Sequence, residues 1–175
     1  MTSIFDLKDK TVFITGGAGL LGQMHAEAIL EHGGSVVIAD YDLKKAVEVA
    51  GKLSSKYGQR VRSVFVDVTN KETIEQAVSV CPSVNVLINN AAKNPIVSSD
   101  GKVEGAFETM TLQQWKSGIE TCLDGTFLCS QVFCNKFVNE GGGVIVNISS
   151  DLGVIAPDQR IYLNGKKPIT YSASK

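Results

Sequence analysis

The stretch Val12-Phe-Ile-Thr-Gly-Gly-Ala-Gly-Leu-Leu-Gly22 constrains the chain more than any other. A run of strand-forming residues stops at Thr15, four glycines follow within seven positions, and an apolar helical pattern opens at Leu20. Gly17-x-Gly19-x-x-Gly22 satisfies the dinucleotide fingerprint, and Gly16-x-x-Gly19-x-x-Gly22 after Thr15 satisfies a related spacing. The physics is the same for either. Glycine permits the tight turn and lets backbone N–H groups approach a pyrophosphate, whose charge then meets a helix N-terminus. Thr15, Gly16, Gly17, Gly19, Leu20, Leu21 and Gly22 are therefore expected to hold a dinucleotide.

The remainder repeats the same alternation. Strands are expected at Thr11–Thr15, Ser35–Ala39, Val61–Val66, Val84–Asn89 and Gly143–Ile148, nearly continuous in apolar residues as strands covered on both faces should be. Helices fall near Leu20–His32, Asp42–Tyr57, Lys71–Val80 and Leu112–Asn139. The last places Trp115, Ile119, Leu123, Phe127 and Phe137 on one stripe, with Gly125 as a break. This is the pattern of an α/β domain with a parallel sheet. Two long connections, Ala92–Thr111 and Asp151–Thr170, leave the carboxyl ends of strands, the edge where open α/β sheets bind ligands.

Charge excludes other classes. A formal net charge of −1 offers no basic field for nucleic acid or an anionic membrane, and no apolar run approaches a membrane span. The charged N-terminus lacks a signal core, so a cytoplasmic location is expected. Cys81, Cys122, Cys129 and Cys134 form no CxxC pair and lie far from His25 and His32, so neither a metal site nor disulfides are expected. The three later cysteines read as small buried thiols in one helix, and the histidines as surface or packing residues.

Asp40 ends the second strand, eighteen positions beyond Gly22. A carboxylate there accepts the ribose hydroxyls of NAD and repels the 2′-phosphate of NADP. Lys44 is the first cation after it, so NAD is expected over NADP. A helix-capping role is the other reading of Asp40, although Asp42 can fill it.

Three later motifs follow in order: Asn89-Asn90-Ala91-Ala92, Asn147-Ile148-Ser149-Ser150 and Tyr171-Ser-Ala-Ser-Lys175. With the glycine-rich turn and Asp67-Val68, they give a chain that resembles the short-chain dehydrogenase/reductase family along essentially its whole length. The resemblance implies a Rossmann-like doubly wound parallel sheet of order 3-2-1-4-5. It implies Tyr171 as catalytic acid/base, Lys175 as its activator and the holder of the nicotinamide ribose, and Ser150 as the group that orients the substrate carbonyl. Asp67 and Val68 then form the adenine pocket, Asn89 steadies the central strand, and Ala91 lies beside the cofactor. Chemistry agrees: Tyr171 and Lys175 sit at i, i+4, on one helix face. Tyrosine titrates near ~10, and bringing it down three units takes roughly 4 kcal/mol, which two nearby cations can supply.

Several features depart from the family pattern. Leu20 and Ala92 stand where its compact branch has glycines, whereas Asn89-Asn90 looks compact. Cys122-Leu-Asp-Gly-Thr-Phe127 places a thiol where an asparagine would support a proton relay; Asp124 or a backbone carbonyl are the substitutes. The loop after Ser150 is longer than the compact branch uses, and its Arg160, Lys166 and Lys167 are candidate contacts for a sugar or phosphorylated polar substrate. Such loops look similar to those of bacterial dehydrogenases in surface-glycan and flagellin-sugar pathways. The 175 residues read as a single nicotinamide-dinucleotide-binding domain lacking the C-terminal strands of the family; a polypeptide ending there is expected to be inactive and poorly packed.

The leading expectation is an NAD-dependent oxidoreductase that interconverts a secondary alcohol and a ketone. A nucleotide-sugar epimerase or dehydratase of the extended branch, or a degraded NAD-binding module, are the alternatives. A small-molecule substrate completes the reading, and the resemblance implies, for the full-length protein, a homodimer or homotetramer built on the Leu112–Asn139 helix and the one beginning near Tyr171.

Overall fold

Five short strands line up in parallel because each β-branched run is followed by a helix that carries the chain back. In a computed structural model describing residues 4–93, 107–161 and 167–175, the strands are β1 Thr11–Thr15, β2 Ser35–Asp40, β3 Val61–Phe65, β4 Val86–Asn89 and β5 Val144–Asn147. They form one sheet in the order β3-β2-β1-β4-β5, the doubly wound Rossmann-like arrangement. The order reverses between β1 and β4, so the crevice at their carboxyl ends is the switch point.

The helices are α1 Leu20–Glu31, α2 Leu43–Tyr57, α3 Lys71–Ser79, α4 Leu112–Ile119, α5 Gly125–Asn139 and α6 Ile169–Ser174. Alternate residues of β1 feed two cores. Val12 and Ile14 pack with Ala26, Leu30, Ala46 and Val49 of α1 and α2, while Phe13 packs with Ile74, Cys129, Phe133 and Phe137 of α3 and α5. The Phe13 and Phe133 rings lie 4.9 Å apart in a tilted contact.

Four sequence expectations need correction. β5 is not covered on both faces: Val144 and Val146 are 54% and 40% exposed, because only the Ile145 side meets a core. Gly125 does not break the long helix. A π-helical turn at Glu120–Asp124 joins α4 to α5, and a Cβ on Gly125 would lie 2.7 Å from Val68 Cγ2, so this glycine serves close packing. The apolar stripe splits, since Phe137 is buried while Leu123 and Phe127 are 48% and 61% exposed. The inserted π turn rotates the helix face between Ile119 and Phe133. Finally, Cys134 is exposed, unlike Cys81, Cys122 and Cys129.

α6 is held by close approach to α4: a Cβ on Gly118 would meet Thr170 Cβ at 2.5 Å. Among the described residues no helix is long and apolar enough to cross a membrane.

Candidate active site

The glycine-rich turn is shaped by contacts that leave no room for side chains. Gly16 has φ +61°, and a Cβ there would lie 2.9 Å from Ala91 Cα. A Cβ on Gly22 would lie 2.5 Å from the Gly16 carbonyl oxygen, so the first turn of α1 packs directly against the glycine-rich turn. Thr15, 1% exposed, accepts the N–H groups of Asn90 (3.0 Å) and Ala91 (3.1 Å) at its Oγ1. Asn90 Nδ2 donates back to the carbonyls of Thr15 (3.0 Å) and Gly16 (3.1 Å). The ends of β1 and β4 are thus stapled together by side chains.

Gly19 caps α1 without a side-chain hydrogen bond, and the first turn holds no acidic residue. Its N–H groups and the positive end of the helix dipole are left for an anion. Asp40 Oδ2 accepts the Ala18 N–H (3.0 Å) and Oδ1 accepts the Asp42 N–H (3.0 Å), each oxygen keeping further acceptor capacity. Capping of α2 falls to Asp42, which accepts from Lys45 N. Asp67 Oδ1 is engaged by Thr69 N–H and Oγ1–H (2.9 and 2.7 Å).

These features open on one cleft of about 790 Å³ running along the sheet's carboxyl edge. Of the residues singled out in the sequence, Gly16, Gly19, Leu20, Leu21, Asp40, Asp67, Val68, Ala91, Tyr171 and Lys175 line it. Thr15, Gly17, Gly22 and Asn89 do not line it; they hold its floor. Asn89, 4% exposed, donates to Ser130 Oγ (3.0 Å) and Asn147 Oδ1 (2.8 Å), tying β4 to α5 and β5. Sequence reading missed Tyr41, Lys45, Asn90 and Lys93 in the lining. Lys45, not Lys44, lines the cleft along with Asp40; the phase of α2 decides which of two adjacent lysines faces it. Asn90 was legible in its motif, but its grip on two carbonyls was not.

At the far end, Lys175 Nζ donates to the Ile148 carbonyl (2.7 Å) and stands 5.9 Å from the Tyr171 ring centroid. Ser150 is placed otherwise. Its hydroxyl donates to Asp151 Oδ1 (3.0 Å) and accepts the Leu152 N–H (3.2 Å), and Ser149, not Ser150, lines the cleft. Ser149 Oγ instead donates to the Lys175 carbonyl at 2.8 Å. Cys122 Sγ accepts the Lys93 N–H (3.4 Å), and its carbonyl accepts Thr126 Oγ1–H (2.7 Å).

The two described loop cations, Arg160 and Lys167, engage different partners. Arg160 pairs with Asp158 (2.8 Å) with its side chain 90% exposed, holding that carboxyl below its usual range. Lys167 Nζ sits over the Tyr171 ring, and Lys166 lies outside the described residues. No group of three metal-binding side chains occurs among the described residues.

Residues 10–175 match the family described as short chain dehydrogenase. The chain belongs to that family. A peroxisomal 2,4-dienoyl-CoA reductase of Danio rerio is 36% identical over 84% of this chain and 48% of its own length. An NAD-dependent glycerol dehydrogenase of Listeria innocua is 32% identical over 98% of this chain and 61% of its own. The crystal structure of a short chain dehydrogenase from Mycobacterium smegmatis superposes with a TM-score of 0.82 at 28% identity, covering 100% of this chain and 69% of that one. The chain therefore spans about half to two thirds of the length of these relatives. Short-chain dehydrogenases bind a nicotinamide cofactor, and the uncapped start of α1, the glycine cradle and the Asp40 and Asp67 carboxylates fit a dinucleotide lying along the cleft.

Proposed function

We propose that the protein is an NAD-dependent oxidoreductase interconverting a secondary alcohol and a ketone, with Tyr171 as acid/base. The observation that carries this reading is one cleft joining the uncapped N-terminal end of α1 to Tyr171 and Lys175. The N–H groups following Gly19 would hold the pyrophosphate, Asp40 the adenosine ribose, and Asp67 with Val68 the adenine. The nicotinamide, when bound, supplies or accepts the hydride.

Every other task falls to the chain. Lys175, fixed by the Ile148 carbonyl, presents a positive charge to Tyr171 and to the ribose. Tyr171 takes the hydroxyl proton in oxidation and returns it in reduction. Ser150 hydrogen-bonds the substrate oxygen, which requires its hydroxyl to leave Asp151. Asn89 keeps the carboxyl ends of β4 and β5 in register beneath these groups. At the Cys122 position the thiol accepts the Lys93 N–H and the carbonyl accepts Thr126 Oγ1–H, with Asp124 exposed on the π turn; these are the groups a proton path there would use.

NAD is favoured over NADP by the Asp40 carboxylate, with Lys45 partly offsetting its repulsion of a 2′-phosphate. Of the loop cations, Arg160 and Lys166 are the candidates for a polar or phosphorylated substrate, Lys167 lying instead over the Tyr171 ring. Exposed Leu112, Leu123 and Phe127 support self-association through α4 and α5.

The test is NADH formation by the intact protein against a panel of secondary alcohols and sugars, comparing wild type with Tyr171→Phe. Turnover that the substitution lowers by about 10²-fold or more supports the assignment. Epimerised product without net NADH favours the epimerase alternative, and tight NAD binding without turnover across the panel favours a degraded binding module.

A further inference from the structure

Tyr171 has a closer cation than Lys175. Lys167 Nζ lies 3.7 Å from the centroid of the Tyr171 ring, against 5.9 Å for Lys175. Lys167, Tyr171 and Lys175 are spaced at i, i+4 and i+8, with Pro168 as the N-cap residue of α6 at φ −63° and ψ 138°. An extended cap brings the preceding lysine back along the helix face that carries Tyr171.

The backbone of Lys167 is fixed independently. Gln159 Nε2 donates to the Lys167 carbonyl (3.0 Å), and the Lys167 N–H donates to Gln159 Oε1 (2.9 Å). This two-point clamp imitates a backbone pair and anchors the residue where the long loop returns to α6. Lys167 is half-buried beside Leu152, Ile169 and Ala173.

We infer that Lys167 is a positioning residue for the reaction: its ammonium, held over the aromatic face by the Gln159 clamp, favours the phenolate form of Tyr171. A cation over a phenol ring is attracted to the π-face and is attracted more strongly once the ring carries a full negative charge. Tyr171 is thereby flanked by two ammonium groups, one over its face and one beyond it along α6. Burial pulls the Lys167 ammonium below the ordinary lysine value, as expected for a partly desolvated cation whose field reaches the ring with less screening.

Other charged groups surround the site. Lys93 and Glu120 line the same cleft, and the Lys93 ammonium is tethered to Ser117 Oγ at 2.7 Å. Lys116 lies on α4, Asp124 on the π turn, and Asp151 on the turn packed against α6. Glu108 shares a cavity with Lys167, and of all these charged side chains Lys167 is the one seated on the Tyr171 ring, 3.7 Å from its centroid.

This inference rests on Tyr171 being the acid/base, so the test reads its ionisation directly as well as its activity. The ultraviolet phenolate absorbance of the intact protein is titrated with pH, with Tyr171→Phe subtracted to isolate one of four tyrosines. Lys167→Met is expected to move the Tyr171 midpoint, and the matching limb of the kcat/KM profile, to higher pH. Lys167→Arg should restore it, and Gln159→Ala should reproduce part of the shift without removing any charge. An unmoved midpoint in folded Lys167→Met, or a raised KM with an unmoved pH profile as for a substrate-anion contact, would overturn the inference. Should Tyr171→Phe keep full turnover, the functional reading fails while the absorbance titration still decides the role of Lys167.

Discussion

The same substitution, glycine to alanine, is expected to have opposite consequences at two helical positions. At Gly22 the new Cβ would lie 2.5 Å from Gly16 O, 2.7 Å from Gly17 Cα and 2.8 Å from Gly17 O. All three are backbone atoms of the cradle, so none can swing aside as a side-chain end can. Alanine improves helix propensity by about 1 kcal/mol, but forcing a methyl into filled space costs about 1–3 kcal/mol, and here the cradle must also deform. A net loss of about 1–2 kcal/mol follows, or a Tm lowered by roughly 2–8 °C for a chain of this size. Displacing the turn also misaims N–H groups at the pyrophosphate, each charge-assisted bond being worth about 1.5–3 kcal/mol, so NAD affinity should fall roughly 10- to 100-fold. At Gly51, on α2, nothing lies within 4 Å of the added Cβ. There only propensity acts, and Tm should rise by roughly 1–4 °C with NAD binding unchanged. Thermal unfolding and NAD calorimetry on both variants measure this. A Gly22→Ala protein that melts and binds like wild type would refute the steric account of the turn.

Two further outcomes follow from the geometry. Asp40→Ala should shift the NAD-to-NADP affinity ratio toward NADP by roughly tenfold or more, and adding Lys45→Ala should take back part of the gain; titration with both cofactors reads the ratio, and an unchanged ratio would remove Asp40 from the ribose site. Burial pushes the Cys129 thiol up to about 12, so at pH 8 its thiolate fraction is ~10⁻⁴. A thiol reagent at that pH should label exposed Cys134 rapidly and reach Cys129 only in denaturant. Because the folded value is raised, Cys129 contributes stability that is complete below the unfolded thiol value near 9 and is lost as pH rises from there toward 12. Mass spectrometry of labelled peptides follows the reactivity, with fast labelling of Cys129 in the native state as the contrary result.

Most of the fold was legible because continuous apolar runs and glycine punctuation carry short-range information. β1 needed no correction, and α1 and α2 shifted by one residue at an end. β4 starts at Val86 rather than Val84, since Asn85 spends its side-chain Oδ1 on the Thr11 N–H (3.1 Å) at the strand entry. The π turn was not legible. Residues 120–124 have ordinary helical composition, and the extra residue shows only where Leu123 and Phe127 turn outward. The site divides along the same line. Asp40 sits at the distance from the glycine-rich turn that the fingerprint marks, and Tyr171 and Lys175 in a motif that the family resemblance marks. Lys45 depends on helical phase, and Lys167 depends on Gln159 gripping its backbone from a sequence separation of eight. Ser150 was legible as a motif member, but its engagement with Asp151 arises from the 3-10 turn that begins immediately after it.

The central claim is that one cleft carries a nicotinamide dinucleotide from the start of α1 to Tyr171. A crystal structure of the intact protein with NADH tests it most directly. The account predicts the pyrophosphate on the N–H groups following Gly19, the adenosine ribose on Asp40, and the nicotinamide beside Tyr171 and Lys175. A nicotinamide ring bound away from Tyr171, or a pyrophosphate held anywhere but the glycine-rich turn, would contradict it.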